Sequence, residues 1–201
     1  HLASPDVWID DVARCFRMLF HGLADHGVQV SYAARSTDGL AWSVEGEPIK
    51  ATYLRRFVLD GRVYAMGHGG ELLRLTDGGA DHGPRLIPRP IRHVGVWPSG
   101  KTLHVFYTCI GDVPERILHQ RIDARGPWPD WSVSGAETEI LRPELPWGGA
   151  DLPVEPSAIG ATGFSNALRD PVIFADEGAV WMIYAGGGEA ALGLARIEGL
   201  D

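Results

Sequence analysis

The sequence predicts an all-β fold, a β-propeller with about four blades present in the chain. Three observations predict it. Short apolar segments rich in aromatic and branched residues recur along the chain, turn signals separate them, and the segments repeat in the same order. The 201 residues include 26 glycines and 14 prolines, which suits many tight turns. A β-sandwich is the alternative all-β fold, but the ordered repetition favours the propeller.

The repeated unit is an apolar segment, a tight turn and an aromatic strand. It is clearest at residues 55–59, where an Asp60-Gly61 turn leads into residues 63–67. The same order recurs at residues 4–9 and 16–22, at 92–97 and 103–107, and at 169–174 and 180–186. The repeats divide one domain, residues 1–201, into blades at roughly 1–50, 51–90, 91–145 and 165–201, with a long loop at 143–166.

Composition and charge narrow the classes of partner. The formal net charge is −8 and no run of lysine and arginine is present, which argues against nucleic acid or an anionic membrane. A neutral ligand such as a carbohydrate fits better, and the seven tryptophans could stack on sugar rings or fill the core. The chain begins with His1 rather than Met, so the sequence leaves cytoplasmic, periplasmic and secreted locations open.

An ordered set of short motifs gives a family resemblance. They are HLASPDV at residues 1–7, MLFHG at 18–22, ARSTDG at 34–39, RH at 92–93, GDVPERI at 111–117, GADLP at 149–153, LRDP at 168–171 and GE at 188–189. Together they resemble an uncharacterised bacterial branch of the five-bladed β-propeller glycoside hydrolases, the clan of families 32, 43, 68, 117 and 130. The resemblance covers essentially the whole chain and implies the five-bladed glycosidase type of propeller.

The resemblance also implies an open ring. Related chains carry about one more blade ahead of the first motif, so we expect the N-terminal blade to be absent here. An open ring exposes strand edges, which predicts self-association of this chain.

The predicted site lies at one mouth of the propeller, where the starts of the inner strands converge. The turns that follow the second strands add further residues to this site. The glycines at 186–188 form a turn that lets Glu189 approach the mouth of the channel. The predicted catalytic residues are Asp6, Glu115 and Asp170. The predicted substrate-binding residues are His21, Tyr53, Arg55, Arg92, His93, Asp112, Arg116, Arg169 and Glu189.

Each carboxylate has a catalytic and a structural interpretation. Glycoside hydrolysis needs two carboxyl groups that flank the bond, one of them protonated. The resemblance implies that Asp170 stabilises the transition state or tunes the acid, with Arg169 orienting it. Glu115 is the predicted acid, with a surface ion pair to Arg116 as the alternative. Asp6 and Asp170 could instead cap backbone amides at strand starts.

The histidines and cofactors follow from the resemblance. In this clan, histidines near the axis bind sugar hydroxyls or anchor a metal, so His21 and His93 are predicted ligand contacts. The resemblance requires no cofactor and leaves open a structural calcium ion at the propeller axis.

The predicted function is hydrolysis of a glycosidic bond at the end of an oligo- or polysaccharide, with inversion. A phosphorolytic enzyme of the same clan is the first alternative, because arginines and histidines could hold inorganic phosphate. A non-catalytic carbohydrate-binding or scaffold propeller is the second, and the absent blade is its main support.

Overall fold

The computed structural model describes residues 2–76, 79–160 and 163–200. His1 of the first motif therefore lies outside the described residues, as do residues 161 and 162 of the predicted 143–166 loop. The described part of the chain holds fifteen β-strands, and its helices are four single 3-10 turns. The all-β prediction is confirmed. The described residues include no helix with the length and apolar character needed to span a membrane.

The chain divides into two compact units, residues 1–84 and 85–201. The first unit holds two four-stranded sheets in which neighbouring strands follow the order of the chain. Its strands are β1 (Leu2–Asp10), β2 (Cys15–Leu23), β3 (Gln29–Ser36) and β4 (Ser43–Ile49), then β5 (Arg55–Leu59), β6 (Arg62–Met66), β7 (Glu71–Thr76) and β8 (Gly79–Arg85). Its 3-10 turns are Asp25–Gly27 and His68–Gly70.

The second unit holds one four-stranded and one three-stranded sheet with the same sequential order. Its strands are β9 (Ile91–Ser99), β10 (Thr102–Cys109), β11 (Ile117–Asp123) and β12 (Ser132–Leu141), then β13 (Leu168–Asp176), β14 (Ala179–Gly186) and β15 (Ala191–Ile197). Its 3-10 turns are Trp128–Asp130 and Pro146–Gly148. Sequential antiparallel sheets of three or four strands are the blades of a propeller.

In the sheet formed by β9–β12, burial falls from the first strands to the last. Strand β10 is buried along nearly its whole length, whereas β12 is exposed along nearly all of its own. Phe106 and Ile117 pack with Met182 in one core cluster of the second unit. Each such side chain contributes about 1.5–3 kcal/mol to folding by leaving water. The polar residues of β12 therefore mark it as the solvent-facing edge of its sheet.

Strand starts carry a repeated irregularity. In β1 the pairing with β2 shifts register between Ala3 and Asp6, and Ser4 has a φ of 51°. In β13 the pairing with β14 shifts between Arg169 and Val172, and Asp170 has a φ of 53°. A residue with positive φ inside a bulge turns its side chain away from the regular alternation of the strand. The bulge therefore gives Asp170 a direction that a regular strand would not give it.

The loop between β12 and β13 is anchored on glycines of the last sheet. The ring of Trp147 lies 6.1 Å from that of Tyr184, and a Cβ atom added at Gly193 would collide with both side chains. A Cβ at Gly186 would likewise overlap Trp147. Gly186 and Gly193 have no side chains because the indole of Trp147 occupies that space. This packing holds the start of the long loop in place.

Gly193→Ala should lower the free energy of unfolding by about 1–3 kcal/mol, because the added methyl overpacks the contact between Trp147 and Tyr184. Urea unfolding followed by fluorescence measures the change. Gly148→Ala is the matched control in the same contact region, because its Cβ would lie at an ordinary 3.6 Å from Leu168. Equal stability of the two variants would contradict the anchoring role of Trp147.

Three other sequence predictions stay predictions: a single domain over residues 1–201, its blade boundaries, and self-association. The observation that bears on self-association is the edge of the last sheet. Strand β15 is outermost in its sheet, and its Leu192 and Leu194 are 79% and 60% exposed.

Candidate functional site

A buried carboxylate held by two arginines is the centre of the candidate site in the second unit. Glu115 lies in the turn between β10 and β11 and has no exposed surface. Its Oε1 accepts a hydrogen bond from Nε of Arg92 at 2.7 Å, and its Oε2 accepts one from Nε of Arg169 at 2.8 Å. The arginines come from β9 and β13, so the three side chains tie two sheets together.

The backbone fixes Glu115 as firmly as its side chain does. The Leu168 amide donates to the Glu115 carbonyl at 2.9 Å, and Glu115 forms an isolated β-bridge with Ala167. The alternative interpretation of Glu115 as a surface residue paired with Arg116 is wrong, because Arg92 and Arg169 occupy both of its oxygens. Because Glu115 has no exposed surface, a substrate can reach its oxygens only if this cluster rearranges.

Arg169 extends the cluster toward solvent. Its Nη1 donates to Oε1 of Glu189 at 3.1 Å and to the Gly160 carbonyl at 3.2 Å. Arg169 is 1% exposed, whereas the Glu189 side chain is 41% exposed. Glu189 has a φ of 109°, a strained conformation for a residue with a side chain. The Glu189 carboxylate, which is predicted to approach the mouth of the channel, is thus bound to Arg169.

Asp170 and His93 form a second polar contact beside this cluster. Nδ1 of His93 and Oδ1 of Asp170 are within ion-pair distance, and the two residues lie on β9 and β13 next to Arg92 and Arg169. The Asp170 side chain remains 31% exposed. Among the predicted catalytic residues of this unit, Asp170 therefore offers a carboxylate that is both anchored and accessible.

Asp112 and Arg116 belong to a separate ion-pair network. Arg116 contacts Oδ2 of Asp112 at 3.3 Å and Oε2 of Glu139 at 2.8 Å, and Arg89 reaches Oδ1 of Asp112 at 3.2 Å. Glu139 lies on β12, the outer strand of its sheet. These contacts give both residues a structural role, and their predicted contact with substrate stays a prediction.

In the first unit, Asp6 bonds to the backbone of the neighbouring sheet. Its Oδ2 accepts a hydrogen bond from the Arg56 amide at 2.6 Å. Burial raises the pKa of Asp6, although this hydrogen bond and the charges of Arg55 and Arg56 act in the opposite direction. The geometry matches the alternative in which Asp6 caps a strand-start amide, and a raised pKa also suits a general acid.

The remaining predicted residues of the first unit lie around the start of β5. Nη1 of Arg55 donates to the Ser4 carbonyl at 3.2 Å. His21 is fully buried, and its ring centre lies 4.1 Å from that of Tyr53, which has a φ of 56°. The structure thus gathers Arg55, His21 and Tyr53 in their own unit. The predicted convergence of Asp6 with Glu115 and Asp170 stays a prediction.

Sequence analysis missed three contributors from the long loop. The carbonyls of Ala158 and Gly160 accept hydrogen bonds from Arg92 and Arg169. Asn166, which is 7% exposed, donates from Nδ2 to the Leu152 carbonyl at 3.1 Å. Backbone carbonyls leave no signal in a sequence. The position of Asn166, just before the LRDP motif, was the one available signal.

The structural calcium ion at the propeller axis stays a prediction. Calcium takes six to eight oxygen ligands, and within residues 2–76, 79–160 and 163–200 no three His, Cys, Asp or Glu side chains are arranged to hold a metal ion. No step proposed below uses a metal.

Comparison with solved structures defines the fold. A family 43 glycoside hydrolase from Bacillus licheniformis matches 100% of this chain and 41% of its own, with a TM-score of 0.66 and 11% identity. The α-L-arabinanase of Cellvibrio cellulosa matches 98% of this chain and 74% of its own, with a TM-score of 0.63 and 12% identity. The α-L-arabinofuranosidase of Lactobacillus brevis matches 97% of this chain and 72% of its own, with a TM-score of 0.65 and 9% identity.

The chain therefore has the fold of the five-bladed β-propeller glycosidases, as the motifs predicted, with four blade sheets in its described residues. In sequence it is 33% identical to an uncharacterised protein of Acanthamoeba polyphaga mimivirus over 98% of its own length. The chain spans 61% of the length of that curated relative. No protein-family model matches the chain. The relative is viral, so a bacterial origin stays a prediction.

Proposed function

We propose that this protein is a glycoside hydrolase that acts on a glycosidic bond of an oligo- or polysaccharide. The observation that carries the proposal is Asp170: an accessible carboxylate, set in a left-handed bulge at the start of β13 and bonded to His93, in a glycosidase fold. Backbone strain of this kind, which costs about 1–3 kcal/mol, persists where the surroundings hold a functional group in place.

The chemistry divides the acidic residues by accessibility. Asp170 is the carboxylate that contacts substrate, and His93 orients it. Glu115, with both oxygens occupied, acts as a positioning residue that holds Arg92 and Arg169 in place. Asp6 of the first unit stays a predicted catalytic residue, and burial, which raises its pKa, keeps more of that carboxyl group protonated at a given pH. Inversion of the anomeric centre stays part of the proposal.

The phosphorolytic alternative is weaker on one specific ground. Arg92, one of the predicted phosphate ligands, binds Glu115 through Nε, and so does the neighbouring Arg169. A phosphate dianion beside them would also meet the carboxylates of Glu115 and Glu189, and like charges at short range disfavour binding.

Hydrolysis of arabino-, xylo- and fructo-oligosaccharides tests the proposal, because the solved neighbours include an arabinanase, a xylosidase and a fructofuranosidase. We expect wild-type protein to release reducing sugar from at least one series, at a rate that inorganic phosphate does not raise. Release that requires phosphate would favour the phosphorylase. The absence of release from every series, by protein with a cooperative unfolding transition, would favour the non-catalytic binding module.

A further inference from the structure

A cavity of about 230 Å³ lies within the second unit, beside the carboxylate cluster and apart from Asp170. Its walls come from the loop that precedes β13, between Leu152 and Ala167, together with Arg169. The side chains that line it include Glu155, Ser157, Phe164, Ser165 and Asn166. The loop therefore builds a concave surface rather than a mere connection.

Specific contacts hold this loop in shape on both sides. Ser157 Oγ donates to the Cys109 carbonyl at 3.1 Å and accepts from the Gly111 amide at 2.9 Å, which ties one wall to the turn after β10. On the other side, Phe164 and Ser165 lie where side chains at Gly187 and Gly188 would otherwise project. The glycine turn thus makes room for the loop, and the cavity is preformed.

Two polar groups in the cavity wall lack partners within the described residues. The Nδ2 atom of Asn166 donates to the Leu152 carbonyl, so the amide orientation is fixed and Oδ1 points the other way. Asn166 Oδ1 and Ser165 Oγ are buried and have no hydrogen-bond partner in the part of the chain that is described. An unsatisfied buried polar group destabilises the folded protein, and a bound ligand that supplies the missing hydrogen bond would remove that cost.

We propose that this cavity binds one neutral sugar residue of the substrate, through a sugar hydroxyl that donates to Asn166 Oδ1 and a second hydrogen bond with Ser165 Oγ. This inference rests on the proposed function. It names the ligand of a pocket that is lined in part by Arg169, the neighbour of Asp170 in the chain. The Asn166 acceptor oxygen and the Glu155 carboxylate in the wall favour hydroxyl donors over an anion, because the Arg169 guanidinium in the same wall is already bound to Glu115 and Glu189. Phe164 adds an aromatic ring to the lining, as sugar sites commonly have.

Binding of L-arabinose, D-xylose and D-fructose, with inorganic phosphate as the anionic probe, tests the assignment by ligand-observed NMR titration. We expect at least one sugar to bind wild-type protein, and phosphate not to compete with it. Asn166→Ala should weaken that binding about tenfold or more, because it removes the acceptor. Asn166→Ala also removes the hydrogen bond to the Leu152 carbonyl and could disturb the loop, so a second variant is needed. Ala158→Leu fills the cavity from an exposed position and should abolish binding.

The controls separate this inference from the proposed function. Ala136→Leu makes the same change at an exposed position on β12, outside the cavity, and should bind like wild type. Equal sugar binding by wild type and Ala158→Leu would overturn the assignment, as would binding of phosphate alone or of no probe, even if the enzyme hydrolyses oligosaccharides. Sugar binding that Ala158→Leu abolishes, without hydrolysis of any substrate, would support the pocket and overturn only the hydrolase.

Discussion

Glu115→Ala should lower the free energy of unfolding by about 3–5 kcal/mol, the cost of removing one partner from a buried ion pair. Glu115 is fully buried, and Arg92 and Arg169 are only 6% and 1% exposed at their side chains. Without the carboxylate, two guanidinium groups would remain in a low-dielectric environment with part of their hydrogen bonding lost. Urea unfolding of the whole chain, followed by circular dichroism, measures the loss.

The control for this prediction is an ion pair at the surface. Arg125→Ala removes the partner of Asp123, and the Arg125 side chain is 77% exposed. Exposed ion pairs contribute little to stability, so this variant should unfold close to wild type. A loss of less than about 1 kcal/mol in Glu115→Ala would show that the two arginines find other partners, and would remove Glu115 as the residue that positions them.

The fold could be predicted because the signals for it are local and repeated. Each sheet needs an apolar strand start, a turn and an aromatic second strand, and these follow one another within a few dozen residues. The predicted segment at 55–59 coincides with β5, and the Asp60-Gly61 turn leads into β6 at Arg62. Repetition then turned four weak local predictions into one architecture.

The candidate site could be predicted only in part, because burial depends on packing between distant segments. The motifs single out Arg92, Glu115 and Arg169, which the fold brings into direct contact, whereas their roles in binding and catalysis stay predictions. The environment of Glu115 could not be read from its neighbours Pro114 and Arg116, since its partners lie 23 and 54 positions away. A carboxylate in a turn is ordinarily predicted to be exposed, and its burial can be predicted only if its distant arginine partners are known.

The glycine run at 186–188 shows the same limit of local interpretation. The sequence predicts a turn that lets Glu189 approach the channel mouth, and Gly187 and Gly188 do have positive φ values of 63° and 73°. Its second use, as space for Trp147 and Phe164, depends on a loop that precedes it by more than twenty residues. The glycines therefore satisfy a turn and a packing requirement together, and only the first was visible in the sequence.

Asp170→Asn should reduce the kcat for oligosaccharide hydrolysis by about 10²–10⁴-fold, the usual contribution of a positioned acid or base group, and leave the fold intact. Asparagine is the appropriate replacement because Asp170 has a φ of 53°, and asparagine tolerates this left-handed conformation far better than alanine does. The amide also keeps an oxygen that can accept a hydrogen bond from His93. What changes is the charge and the capacity to transfer a proton.

The matched control for Asp170 is Asp176→Asn, the same substitution at the opposite, exposed end of β13. Both variants should unfold at the urea concentration of wild type, and only Asp170→Asn should lose turnover. Initial rates on the best oligosaccharide, with kcat and KM determined separately, distinguish the roles. A rise in KM at constant kcat would show that Asp170 only binds sugar, and full activity would remove Asp170 from the mechanism.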